Sequence, residues 1–174
     1  MRFLLINILA LTGAVNAATL VGSNASFDVG FSPNGSSLQL VLKSINSAKK
    51  SIHVAAYSFT SKPIAEALLN ASKRGVEVKV LADEKSNSGK YSATTYLANN
   101  KIQVKLDGNY PIFHHKFMVI DGSTLETGSF NYSAAANKNA ENILVLWNAP
   151  SVANSYEQEW QKLWNEGRLV KPTY

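Results

Sequence analysis

The chain contains no cysteine among its 174 residues. A disulfide framework, a thiol nucleophile and thiolate metal ligands are therefore all excluded. Stability has to come from a hydrophobic core, and 45% of the residues are hydrophobic, as expected for a globular chain. Any nucleophilic chemistry must use another side chain, such as histidine or serine.

Long apolar runs are also missing, apart from one near the amino terminus. Residues 3–11 are apolar except for Asn7, they follow Arg2, and small residues stand at Val15 and Ala17. This order is typical of a secretory signal. An uncleaved membrane anchor is the alternative, but the run is shorter than the roughly 20 residues that cross a bilayer. We therefore expect cleavage after about Ala17, export to the periplasm or the medium, and no stable membrane insertion of the mature chain.

Acidic residues are fewer than basic ones, twelve against seventeen, which gives a formal net charge of +5. A basic balance favours an anionic partner such as nucleic acid, a phospholipid surface or another polyanion. Many basic proteins bind none of these, so charge alone does not choose between them. No repeat or low-complexity tract interrupts the chain, and we expect residues 18–174 to form a single domain.

The mature chain alternates between strand-like and helix-like segments. Alternating or uninterrupted apolar stretches predict strands at residues 26–31, 51–59, 77–82, 102–106, 115–120, 124–127 and 141–147. Apolar residues at helical spacing predict one helix after Ser36 or Ser37, and further helices at residues 62–73, 93–99 and 150–165. This alternation implies a mixed α/β fold, in which helices cover both faces of a central β-sheet.

The most informative stretch is a predicted hairpin that begins at His114. Side chains alternate along a strand, so His114 and Lys116 face one side and His115 faces the other. Lysine is not a usual metal ligand, but an ammonium beside a neutral imidazole suits an anion. The lysine can hold a phosphate oxygen while the imidazole attacks phosphorus. Because no cluster of His, Asp and Glu at ligand spacing stands near this hairpin, we expect no metal and no other cofactor.

Small polar residues follow the return strand of the hairpin. Gly128 allows the backbone to come close, while Ser129 and Asn131 alternate, so that both can offer donors to one anionic group. We therefore expect these two residues to join His114 and Lys116 around a tetrahedral oxyanion.

Six residues of this stretch form a spaced pattern, His114-x-Lys116-x4-Asp121-x6-Gly128-Ser129-x-Asn131. The pattern resembles the HKD motif of the phospholipase D superfamily, and the order of strands and helices resembles one catalytic domain of that superfamily. A single motif behind a signal sequence is most similar to its small secreted bacterial endonucleases. The resemblance implies the phospholipase D/nuclease fold and metal-independent hydrolysis of DNA, and of RNA as well, without sequence preference.

The resemblance also implies roles for individual residues. His114 would be the nucleophile that forms a phosphohistidine, and Lys116, Ser129 and Asn131 would bind the substrate phosphate. Glu141, at the head of a predicted strand, would bind the other nitrogen of the His114 ring and orient it.

The resemblance further implies a second histidine, which would protonate the leaving oxygen on the far side of the phosphate. The chain has one motif, so the resemblance implies a homodimer with a shared active site, in which His114 of the partner subunit is the general acid and base.

Other residues have simpler interpretations. Asp121 belongs to the motif, but its parity is opposite to that of His114 and it precedes a turn glycine, so we expect a structural hydrogen-bonding role. His53 is expected to be a hydrogen-bonded core histidine. The segment from Lys85 to Tyr96 interleaves charge and aromatic rings, which suits either single-stranded nucleic acid or a solvated loop.

Two other functions remain open at this point. One is a phospholipase D acting on phosphatidyl head groups, although the sequence has no amphipathic membrane helix. The other is a non-catalytic nucleic-acid-binding protein, which the intact motif disfavours.

Overall fold

The computed structural model of the chain describes residue 18, residues 20–89 and residues 92–173. Its strands are β1 Ser26–Ser32, β2 Ser51–Ala56, β3 Glu77–Asp83, β4 Gln103–Asp107, β5 Lys116–Ile120, β6 Thr124–Gly128, β7 Glu141–Trp147 and β8 Arg168–Leu169. Its helices are α1 Ser37–Ser47, α2 Lys62–Lys73, α3 Glu84–Asn87, α4 Ala93–Asn99 and α5 Pro150–Glu166, with a short 3-10 turn at Ala135–Asn137. The strands form one sheet in the order β1-β7-β6-β5-β2-β3-β4-β8.

The sheet is mixed. Strands β2, β3 and β4 are parallel to one another, and every other neighbouring pair is antiparallel. Parallel neighbours need a crossover connection, which α2 supplies between β2 and β3 and which α3 and α4 supply between β3 and β4.

Two apolar clusters cover opposite faces of this sheet. Along β5, Met118 belongs to the cluster under α1, α2 and α4, whereas the next residue, Val119, belongs to the cluster under α5. Trp160 of α5 is fully buried, and its indole Nε1 donates to the carbonyl oxygen of Val54 at 2.9 Å, which ties α5 to β2. Helices therefore cover both faces, and the predicted mixed α/β class is confirmed.

A few elements differ from the prediction. Strand β2 ends at Ala56 instead of continuing to Phe59, because the Phe59 N–H donates to the side-chain oxygen of Asn87 at 2.9 Å. Helix α3 occupies a segment that the sequence suggested was a loop. The Asp83 carboxylate caps this helix by accepting the Ser86 N–H at 2.8 Å. The short strand β8 was not predicted either.

A buried ionisable pair lies in the cluster under α1, α2 and α4. Glu126 of β6 and Tyr132 are both essentially without solvent exposure, and the tyrosine hydroxyl donates to the Glu126 carboxylate at 2.6 Å. Burial raises the pKa of Glu126 to about 8, although the bond from Tyr132 opposes that rise. The carboxyl is therefore mostly protonated at neutral pH.

No helix within the described ranges is long and apolar enough to cross a membrane. The predicted secretory signal, residues 1–17, lies outside the described residues, so its cleavage stays a prediction.

Candidate active site

The predicted site residues lie at one end of the sheet, where β2 and β6 end and β5 and β7 begin. This end of the sheet is the active-site edge. The carboxyl end of β2 pairs with the amino end of β5, since Ala56 is opposite Lys116. The carboxyl end of β6 pairs with β7 near its amino end, since Gly128 is opposite Ile143. Residues just outside these ends, including His114, are therefore brought to the same edge even though they are distant in sequence.

His114 and Lys116 meet across the ring of Tyr57, which follows β2. The His114 and Tyr57 ring centroids are 4.7 Å apart, and the Lys116 ammonium lies 5.2 Å from the Tyr57 centroid. The ammonium also donates to the carbonyl oxygen of His114 at 2.9 Å. His114 is exposed, so its ring can reach a substrate. This is the pairing of imidazole and cation that strand parity predicts.

Lys116 is unusually buried for a lysine, with 9% of its surface exposed. Burial lowers the pKa of its ammonium, and the nearby negative charge of Glu141 opposes that change. A partly desolvated ammonium attracts an anion more strongly than one in bulk water, because less solvent screens it. Lys116 is therefore well placed to bind a phosphate oxygen.

His115 lies on the other side of the strand. Its ring contacts Phe113 and Phe117 edge-on, with centroid separations of 5.3 and 5.5 Å. Phe113 and Phe117 belong to the cluster under α5, and burial lowers the pKa of His115. His114 contacts Tyr57, whereas His115 contacts Phe113 and Phe117. This difference in neighbours agrees with the alternation of side chains expected along the strand.

Ser129 and Glu141 bind each other. The Ser129 hydroxyl donates to Glu141 Oε2 at 2.6 Å and accepts the backbone N–H of Asn142 at 3.0 Å. Glu141 Oε1 accepts from Asn139 at 3.1 Å. Among the described residues no hydrogen bond joins Glu141 to the His114 ring, so the contact expected from the sequence is not made in this structure. The short bond to Ser129 holds that carboxylate instead.

Asn131 has a buried side-chain oxygen without a hydrogen-bond partner in the described part of the chain. Its backbone is fixed, because the Ser133 N–H donates to the Asn131 carbonyl at 2.7 Å. An unsatisfied buried polar atom is costly, and such atoms are concentrated where a ligand completes the bonding. The unpartnered atom is an amide oxygen, which only accepts, so a phosphate oxygen would have to be bound by the Asn131 amide nitrogen instead.

Gly128 permits the close approach of β6 and β7 at this edge. A Cβ atom at this position would lie 2.2 Å from the carbonyl oxygen of Asn142. The same carbonyl accepts the N–H groups of Ser129 and Phe130, at 3.1 and 3.3 Å. A larger residue at position 128 would therefore push away the backbone that positions Ser129.

Asp121 lies at the opposite end of the strands from the candidate site. It follows the far end of β5, roughly 17 Å along the strand from Lys116. Its carboxylate accepts the backbone N–H groups of Lys49, Lys50 and Ser51 at 2.7–2.9 Å. Burial alone would raise the pKa of Asp121, but these three bonds outweigh it and hold that pKa below its usual value. This geometry agrees with the structural role expected for Asp121.

Two further polar residues, Asp83 and Asn87, position the segments that carry His114 and Tyr57. Asp83 ends β3, is buried, and accepts the Phe113 N–H at 3.0 Å, directly before His114. Asn87 of α3 donates to the Tyr57 carbonyl at 2.6 Å. Sequence reasoning did not single out Asp83, Asn87 or Tyr57. The available signal was the position of Asp83 and Asn87 just after the predicted strand 77–82, because sites of α/β proteins gather after strand ends.

A model of the cardiolipin synthase, PLD-like domain matches residues 41–164, which is well over half of the chain. The chain belongs to the phospholipase D superfamily. The match includes the edge that carries His114, Lys116, Ser129, Asn131 and Glu141, and it confirms the family expected from the motif.

Comparison with individual proteins supports the same family assignment. A protein named phospholipase D from Rickettsia bellii is 39% identical over 131 residues, covering 75% of this chain. The chain spans 65% of that relative's length. The crystal structure of a phospholipase D family member, Nuc from Salmonella typhimurium, matches with a TM-score of 0.83 and 48% identity over 85% of this chain and 99% of that one. NucT from Helicobacter pylori matches with a TM-score of 0.76 and 26% identity over 84% and 100%.

His53 lies apart from the candidate site of this phospholipase D-type chain. Its Nδ1 lies 2.8 Å from Glu157 of α5, its Nε2 lies 3.3 Å from Glu77, and its ring stacks on Trp160 with 4.2 Å between centroids. Both nitrogens are occupied, so His53 is the hydrogen-bonded core histidine that the sequence predicted. No group of three or more His, Cys, Asp or Glu side chains able to hold a metal occurs within the described ranges.

Proposed function

We propose that this protein is a phosphodiesterase that cleaves DNA, and RNA as well, without sequence preference and without a metal ion. The observation that carries the proposal is the placement of His114 and Lys116 against one tyrosine ring, Tyr57, at the end of the sheet where the site residues gather. A nucleophile, a fixed cation and a polar amide are the groups that a phosphodiester requires. The similarity to the phospholipase D superfamily supports this general chemistry.

The proposed first step is covalent. One ring nitrogen of His114 attacks phosphorus, the phosphorus–nitrogen bond forms, and the bond to the leaving oxygen breaks. Lys116 and the Asn131 amide bind the non-bridging oxygens, whose charge increases in the transition state. A second histidine donates its proton to the leaving oxygen as the bond breaks.

The proposed second step reverses the roles. Water attacks phosphorus, the phosphorus–nitrogen bond breaks, and the water proton passes to the second histidine, which returns to its starting state. Two displacements through an intermediate replace one more difficult displacement. Lys116 supplies positive charge throughout, so the step requires no metal.

The second histidine is proposed to be His114 of the partner subunit in a symmetric homodimer. Within the described part of one chain, His115 faces the α5 cluster and both nitrogens of His53 are occupied. Among the described residues, the His115 ring packs on Phe113 and Phe117 and the His53 ring on Trp160, and neither joins His114 and Lys116 at Tyr57.

An uncovered apolar surface supports this assembly. Phe27, Val29 and Phe31 project from the edge strand β1 and are 67%, 45% and 62% exposed. Phe31 pairs with Asn142, next to Glu141, so the apolar surface extends to the edge of the candidate site. A second copy that packs on this surface through a twofold axis uses the same residues, so its own Phe31 and the site residues next to it would also lie at or beside the interface.

Phospholipid hydrolysis is the second candidate, because the Rickettsia relative is named phospholipase D. Both substrates contain a phosphodiester, so the same residues could act on either. Export of the protein also stays a proposal, supported by the signal-like residues 1–17.

One assay separates these possibilities. Mature protein in excess EDTA is offered plasmid DNA and phosphatidylcholine vesicles in parallel, with His114→Ala as the matched control and His115→Ala as a second one. We expect DNA cleavage by the unaltered protein and by His115→Ala, and none by His114→Ala. Loss of DNA cleavage in EDTA that magnesium restores, or cleavage of lipid alone, would overturn the proposal.

A further inference from the structure

A cavity lies beside the candidate site, between α2 and α4. It has a volume of about 270 Å³, and Thr60, Lys62, Glu66, Ser92 and Tyr96 contribute to its walls. The mechanism above uses none of these residues. Ala65 and Ala93 add apolar surface, so the lining combines an aromatic ring, small apolar groups and charged groups.

The cavity is joined to the active-site edge by backbone hydrogen bonds. The N–H groups of Thr60 and Ser61 both donate to the carbonyl oxygen of Tyr132 at 2.9 Å, and Tyr132 directly follows Asn131. Thr60 is also three residues after Tyr57, so the chain separates them by at most about 11 Å. A substrate whose phosphate lies against His114 therefore has its neighbouring units within reach of the cavity.

The walls of the cavity suit a flat heteroaromatic group. Tyr96 lines the cavity and is 38% exposed, so part of its side chain is accessible to a ligand. Aromatic side chains that stack on bases are the usual platforms for single-stranded nucleic acid, and they tolerate any base. The carboxylate of Glu66 can accept a hydrogen bond from a base N–H, and every base carries at least one such donor.

Lys62 adds a cation at the same opening. Its side chain is 84% exposed, and its ammonium lies 3.7 Å from the Glu66 carboxylate. An exposed ion pair of this kind is weak, so both groups can change partners when a ligand binds. Lys62 could then bind a backbone phosphate while Glu66 binds the base.

We infer that this cavity is a subsite for one nucleobase of a single-stranded nucleic acid, adjacent to the scissile phosphate. The inference rests on the proposed nuclease function and adds a substrate class to it. Bases within a duplex are paired and stacked and would have to be extruded to enter, whereas an unpaired base enters at little cost. The protein should therefore cleave single strands in preference to duplexes.

The test compares two oligonucleotides of equal length with the same backbone, one carrying bases throughout and one abasic at the positions beside a single cleavable phosphodiester. For the unaltered protein we expect kcat/KM to be roughly tenfold higher with bases, as stacking on one ring would give. Tyr96→Ala should bring that ratio close to one. Tyr96→Phe, which keeps the ring, should preserve the ratio. A thermal melt of each variant checks folding.

The outcomes are distinguishable. If the unaltered protein cleaves the oligonucleotides with equal efficiency, and Tyr96→Ala leaves the ratio unchanged, the subsite is wrong while the nuclease function stands. If neither oligonucleotide is cleaved, the nuclease function and the subsite both fail. If Tyr96→Ala instead lowers the hydrolysis of phosphatidylcholine vesicles and leaves the oligonucleotide ratio unchanged, the cavity accepts a lipid and the inference is overturned.

Discussion

The carboxylate of Glu141 and the hydroxyl of Ser129 are joined by a 2.6 Å hydrogen bond at the edge of the sheet. Each residue has an expected role of its own, since Ser129 should bind phosphate and Glu141 should orient His114. The Ser129 hydroxyl has one proton, so it cannot donate to phosphate without releasing Glu141, whereas the Glu141 carboxylate can accept further hydrogen bonds. The two residues are therefore coupled. We expect a bound phosphate to take the Ser129 hydroxyl away from the Glu141 carboxylate.

The first prediction concerns this pair. Ser129→Ala should lower kcat/KM on an oligonucleotide by roughly tenfold, and Glu141→Gln by roughly a hundredfold, because an orienting acid contributes more than one phosphate contact. The double variant should lose clearly less than the product of the two losses, which is the sign of coupled residues. Steady-state kinetics on the four proteins measure this. Losses that multiply would show that Ser129 and Glu141 act independently.

The second prediction concerns Tyr57, which contacts the His114 ring and the Lys116 ammonium. Tyr57→Ala removes a surface that holds both groups, so kcat should fall by about tenfold or more. Tyr57→Phe keeps the ring and should stay within about threefold of the unaltered protein. Kinetics at saturating oligonucleotide give kcat for each. Equal losses in the two variants would assign the effect to the tyrosine hydroxyl instead.

The third prediction concerns the alkaline limit of activity. Lys116 binds phosphate in its charged form, and burial lowers the pKa of its ammonium below the ordinary value of 10.5. Activity should therefore fall as pH rises, beginning at a lower pH than an exposed lysine would give. Lys116→Arg keeps its charge across this range, so whatever activity it retains should lack the part of the alkaline fall that Lys116 causes. An identical alkaline limb in both proteins would assign the limb to another group.

The fourth prediction concerns the buried carboxyl of Glu126. Its folded pKa of about 8 lies above the ordinary 4.5, so it is the protonated form that the folded state favours. The resulting stability is complete below pH 4.5 and is lost as pH rises towards 8, by roughly 4–5 kcal/mol in total.

Urea unfolding at several pH values between 5 and 8 measures that loss. Glu126→Gln is neutral throughout and can still accept the Tyr132 hydroxyl, so its stability should depend much less on pH across the same interval. If the two proteins show the same pH dependence, Glu126 is not the group responsible.

The sequence predicted those parts of the site that depend on local periodicity. Alternation along one strand was enough to separate His114 and Lys116 from His115, and the turn glycine after Asp121 was enough to place that residue outside the chemistry. The alternation of helices and strands likewise predicted the mixed sheet with covered faces, which the structure confirms.

The parts that were missed depend on contacts between distant segments. Asn87 binds the backbone at Tyr57, and Asp83 binds the backbone at Phe113, in each case across about thirty residues. No local pattern encodes such a bond. The bond from Glu141 to the His114 ring stays a prediction, because in this structure the Ser129 hydroxyl, which comes close only after β6 and β7 have paired, binds that carboxylate.

The measurement that tests the account most directly mixes two kinds of chain. Unaltered protein and His114→Ala are refolded together, the mixed dimers are isolated by a tag on one chain, and their turnover of an oligonucleotide is compared with that of each parent. A composite site built from two copies of His114 predicts that mixed dimers lose most of their activity, since one histidine of the pair is missing. Mixed dimers that keep half of the unaltered turnover, or an active monomer in sedimentation, would show that each chain carries its own acid and would contradict the account.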